Sequence, residues 1–134
     1  MVIKITEDSL TLENALDAHS KWTEWLKAIA SSGEPIDVDT IKRDDCCELG
    51  KWLHSPAGMV YSNSPRFTRL VTTHKEFHAV AGAIAYEISV SAYKVVETML
   101  QAGTPFAYAS EEVAMAIMEL KTEAEGLFQD WKKP

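Results

Sequence analysis

His74 and His78 stand four residues apart in His74-Lys75-Glu76-Phe77-His78. On a helix that spacing stacks two imidazoles on one face, within reach of a single metal ion. Upstream, the adjacent pair Cys46-Cys47 offers a thiolate, and His19 offers a third imidazole from an earlier segment. Three imidazoles and one thiolate make a tetrahedral zinc site, because zinc favours a mixed nitrogen and sulfur shell.

Competing chemistries fit these residues less well. In a zinc hydrolase of the H-E-x-x-H type the first His is followed directly by a general base, but here Lys75 holds that place. Glu76 falls one position late, on another face. Four protein ligands also close the coordination sphere, whereas a catalytic zinc keeps one position open. No catalytic residue is assigned, and the chain is expected not to be an enzyme. A di-iron bundle calls for Glu-x-x-His pairs, and Leu16, Val71 and Lys75 stand three residues before His19, His74 and His78. His54, next to a loop, reads as a surface histidine.

The elements that must position these groups are helical. Leu12, Leu16, His19, Trp22, Leu26 and Ile29 recur at spacings of three and four and define an apolar stripe. Asp8 or Ser9 suits the start of this helix, and Ser31-Ser32-Gly33-Glu34-Pro35 ends it. A histidine in such a stripe can be a core residue bonded to a carbonyl. Beside the other candidate ligands, His19 reads as one of them. Asp37, Asp39 and Thr40 offer caps for a short helix carrying Cys46 and Cys47. Gly50 is awkward inside a helix, by about 1 kcal/mol against Ala, and close backbone approach is a reason to have it.

Pro65 fits the first turn of a long third helix, expected to reach about Gln101. Its inward face is Phe67, Leu70, His74, His78 (or Phe77), Ala81, Ile84, Ile88, Ala92, Val95 and Met99. Ala102-Gly103-Thr104-Pro105 stops and restarts the chain. The last helix turns Val113, Ile117, Leu120, Ala124, Leu127 and Trp131 inward, and Glu111, Glu112, Glu119, Lys121 and Glu123 largely outward. With no strand alternation and no repeat, the expected fold is an all-α, antiparallel four-helix bundle. Its second helix is short and Cys-bearing.

Cys47-x-Leu49-Gly50-x-Trp52, followed by His74-x-x-x-His78 and preceded by a helical His19, resembles the chemoreceptor zinc-binding (CZB) domain, a bacterial regulatory module. The resemblance runs from about Leu12 to Leu127. It implies that His19, Cys47, His74 and His78 hold one Zn, with the motif counted from Cys47. Cys46 would point roughly 100° away on a helix and reads as a spare thiol. The nearby carboxylates Asp17, Asp44, Asp45 and Glu76 are candidates to orient the ligating imidazoles.

Domains of this kind occur in chemoreceptors and diguanylate cyclases. The resemblance therefore implies a sensor whose zinc occupancy, or oxidation of the zinc-bound Cys47, feeds a chemotaxis or cyclic-di-GMP type output. It also implies a homodimer with a bacterial chemoreceptor or diguanylate-cyclase signalling partner. The aromatic set Trp22, Trp25, Tyr86 and Tyr93 could supply the interface. No methyl-accepting coiled coil or cyclase domain accompanies the domain here, so a stand-alone subunit or an excised piece is expected. The alternative is a metal-free helical-bundle interaction module.

Composition sets the remaining bounds. A chain of 134 residues with 46% hydrophobic content fits one globular domain, 1–134, with a real core. A net charge of −7 disfavours nucleic acid as a partner, since phosphate binding leans on clustered Lys and Arg. There is no apolar run of the ~18 residues that suggest a membrane span and no secretory leader. A cytoplasmic protein without membrane insertion is expected. Two adjacent cysteines imply no disulfide framework and suit a reducing compartment.

Overall fold

In the computed structural model, residues 7–126 are described. They form α1 (Glu7–Ser20), α2 (Trp22–Ser32), α3 (Val38–Lys42), α4 (Glu48–Leu53), α5 (Pro56–Met59), α6 (Pro65–Ser89), α7 (Tyr93–Met99) and α8 (Pro105–Ala124). The all-α bundle expected from the apolar periodicity is present, and there is no strand among the described residues. Leu127 and Trp131, expected to face inward, lie outside the described residues.

Helix starts follow local chemistry. Ser55, Ser64 and Thr104 each stand directly before a proline and accept a backbone N–H of the first turn through their hydroxyls. The proline at the first helical position lacks a donor that would be orphaned there anyway. Asp37 caps α3 by accepting from Thr40 N at 3.2 Å. α1 is already helical at Glu7, so Asp8 and Ser9 lie inside it and do not cap it.

Three long helices make the frame. Ser9 of α1 donates to Glu125 just past α8, and Ser64 and Arg66 at the start of α6 bind Glu123. Tyr61 donates to Asp8. α1 and α6 therefore start at the end where α8 finishes, so α8 runs antiparallel to both. Leu12, Leu70, Phe77, Ile84, Val113, Ile117 and Leu120 fill the space between them. Glu123, expected to face outward, is largely covered in its ion pair with Arg66.

Two breaks depart from the expected helices. The first helix is interrupted at Lys21, which separates α1 from α2. The long third helix ends at Ser89 and does not reach Gln101. Ser91 takes a left-handed φ of 60°, Ser91 N–H donates to Ile88 O, and Ala92 N–H donates to Glu87 O. That pair of bonds is the Schellman stop, in which glycine usually holds the left-handed position. Because the chain resets there, Val96 is buried and Val95 is 47% exposed, the reverse of the continuous-helix register.

α3 lies against α6 at Gly82, where an added Cβ would stand 3.0 Å from the Lys42 Cβ. The small-residue stretch Ala79–Ala85 permits this approach, and it sets the Ile41 carbonyl beside His78. Among the described residues no helix is long and apolar enough to cross a membrane.

Candidate metal centre

α6 supplies two imidazoles. His74 and His78 are 0% and 2% exposed, and their Nε2 atoms lie 3.0 Å apart. The one-turn spacing accounts for this juxtaposition.

Cys47 arrives from the other side. It is the N-cap of α4 and not a residue within it, with φ −82° and ψ 166°. This corrects the expectation of a Cys-bearing helix: α3 ends at Lys42, and a turn carrying Cys46 separates it from α4. From the cap position Cys47 Sγ accepts Gly50 N–H at 3.4 Å. It also lies 3.2 Å from His74 Nε2 and 3.5 Å from His78 Nε2. Gly50 makes the turn geometry feasible, because a Cβ there would strike the Asp44 backbone carbonyl. The expected close approach exists, and its partner is the turn leading to Cys47.

His19 completes the group from the last turn of α1, 8% exposed and packed on Phe77 with ring centroids 5.0 Å apart. One ligand atom from each of His19, Cys47, His74 and His78 can be chosen so that all four lie within 4.8 Å of one another. The sequence-derived residues thus converge. Cys46, whose thiol faces Asp45 Oδ1 at 3.5 Å, and the exposed His54 stand outside the group.

The donor set fits zinc on two counts. Zinc bonds of about 2.0–2.3 Å at tetrahedral angles put neighbouring ligand atoms about 3.3–3.7 Å apart. The three sulfur and nitrogen pairs at 3.0–3.5 Å are close to that. Both ring nitrogens of His19 and the Nδ1 of His74 are also buried without a hydrogen-bond partner. Orphaned buried polar atoms are costly, and a metal bound through one His19 nitrogen would relieve part of that cost, whereas His74 faces the centre with Nε2, the atom beside Cys47.

His78 is oriented by backbone. Its Nδ1–H donates to Ile41 O at 2.8 Å, which leaves the Nε2 lone pair facing Cys47 and His74. None of the carboxylates considered from sequence takes this role. Asp17 pairs with Lys21 and Asp45 with Arg43, Glu76 is exposed, and Asp44 acts on His78 only through its charge. A main-chain carbonyl leaves no mark in side-chain identity, so sequence reasoning missed it.

Burial dominates the electrostatics. It pushes His19 down to about 4 and His74 down to about 2, with the neighbouring imidazoles adding to the effect. His78 is also lowered by burial, partly offset by the Ile41 carbonyl. Burial pushes the Cys47 thiol up, against the Gly50 N–H, which favours the thiolate. Neutral imidazoles are the form that binds a metal.

A family model described as the chemoreceptor zinc-binding domain matches residues 19–85, half of the chain, and that span contains all four side chains. Comparison with curated proteins and with solved structures finds no match.

Proposed function

The chain belongs to the chemoreceptor zinc-binding domain family, and from that premise we propose that it is a regulatory sensor holding one zinc ion through His19, Cys47, His74 and His78. The observation that carries the reading is the convergence of one thiol and three buried imidazoles, with His19 lacking any hydrogen-bond partner on its ring. Zinc, when bound, keeps a coordinating thiol deprotonated and links the segments that carry its ligands. Those segments are α1, the turn before α4, and α6.

The element that responds is the turn from Asp44 to the start of α4. Cys47 holds it against His74 of α6, and the fit of Gly50 under the Asp44 carbonyl folds the turn onto α4. Loss of zinc removes one tie. Oxidation of Cys47 to a sulfenic acid by a two-electron oxidant such as hypochlorite, itself reduced to chloride, weakens the same tie. Either event frees the turn, and a chemotaxis or cyclic-di-GMP type partner reads the change. The setting is a single domain over 1–134 in a cytoplasmic homodimer, with exposed Trp25, Tyr86 and Tyr93 available for the interface. Four protein ligands leave no open position for hydrolysis, so the role is regulatory and not catalytic.

Elemental analysis of untagged protein, wild type beside Cys47→Ala and His74→Ala, tests the reading. About one zinc per chain is expected in the wild type, with less in both variants and a melting temperature that falls on chelation. A wild type that takes up no zinc when it is offered would overturn the sensor assignment.

A further inference from the structure

A groove of about 620 Å³ runs between α1 and α4. Asn14, Ala18, His19 and Trp22 line one side, and Cys47 and Trp52 the other. The four side chains of the metal centre are thus unequally placed. His19 and Cys47 border the groove, whereas His74 and His78 are sealed within α6 and its neighbours.

Their anchoring differs in the same sense. His78 is fixed by the Ile41 carbonyl, and Cys47 by Gly50 N–H and by its place at a helix cap. His74 lies in hydrogen-bond range of both Cys47 Sγ and His78 Nε2. His19 has no hydrogen bond on either ring nitrogen, and ring packing against Phe77, Trp22, His74 and His78 sets its orientation. It also stands two residues before the break at Lys21, where α1 gives way to α2.

We infer that this groove is the route by which zinc and competing small ligands reach the centre, and that His19 is the ligand exchanged first. The inference rests on the zinc reading above. Exchange is then associative: a chelator entering between Ala18 and Trp52 donates its lone pair while His19 is still withdrawing, so its concentration enters the rate. His19 leaves as a neutral imidazole with its own pair, so no proton or electron is transferred in that step. Cys47, on the same groove, comes within reach of the entering ligand next, and the buried pair on α6 is released last.

The test follows zinc transfer from loaded protein to the coloured chelator 4-(2-pyridylazo)resorcinol. The transfer rate is expected to rise in proportion to chelator concentration. Ala18→Trp or Asn14→Trp, both at exposed helix positions on the groove, should slow it several-fold while zinc content stays at the wild-type level. Thr72→Trp, on the exposed face of α6, should leave the rate unchanged, and His19→Ala should speed transfer several-fold. A rate independent of chelator concentration would overturn the inference, as would groove variants that transfer zinc as fast as wild type. Failure of the wild type to load zinc overturns the sensor assignment itself, which separates the two failures.

Discussion

Acidifying the metal-free protein from about pH 7.5 to about pH 5 tests the burial of the histidines directly, because free imidazoles titrate in that window. In the folded chain His19 is lowered to about 4 and His74 to about 2, chiefly by desolvation. In the unfolded chain both return to about 6.5. The unfolded state then binds protons that the folded state refuses, so stability rises with pH. The contribution is complete above about 6.5. It is lost as pH falls towards about 4 for His19, and further down for His74.

At about pH 5 a free imidazole is protonated roughly thirty to one, so each ring held neutral weakens the fold by about 2 kcal/mol. Together they remove about 4 kcal/mol, a large part of the roughly 5–15 kcal/mol that a domain commands. His78 shifts the same way and adds to the loss. Asp37, Asp45 and Glu125 are lowered from ordinary carboxylate values, so their contributions fade only at more acid pH. Urea unfolding of chelator-treated protein across this range is the assay. His19→Gln and His74→Gln should each remove about 2 kcal/mol of the pH dependence. Stability at about pH 5 within about 1 kcal/mol of that at pH 7.5 would refute the neutral-imidazole reasoning.

The same protonation states predict that zinc uptake near neutral pH releases about one proton, from the Cys47 thiol, and almost none from the imidazoles. Calorimetric titration in buffers of different ionisation heat measures it, and two or more protons released would contradict the assignment. Gly50→Ala should lower stability by about 1–3 kcal/mol although alanine is the better helix former, because its Cβ meets main chain that cannot rotate away. A melting temperature at or above wild type would count against the close approach. Ser91→Gly should raise stability by about 0.5–1 kcal/mol by relieving the left-handed backbone at the end of α6. An unchanged or lower denaturation midpoint would show that no such strain is present.

Much of the protein is legible from local spacing alone. The four-residue step from His74 to His78, the stripe through Leu12 and Leu26, the Ser/Thr–Pro helix starts and the stop at Gly33 are properties of short segments, so the sequence by itself determines them. The break after Ser89 was illegible because serine occupies a position that glycine usually marks, and that break moved Val95 out and Val96 in. Which face of the Cys46-Cys47 pair turns inward was likewise a tertiary decision. Periodicity could not place Cys47 at a helix cap, because the Asp44 carbonyl packed on Gly50 sets the turn. Nor could it reveal that a backbone carbonyl on α3 orients His78, since this depends on α3 meeting α6 at Gly82. Local sequence chooses which groups are offered. Long-range packing decides which of them are stripped of water and brought within 4.8 Å of one another.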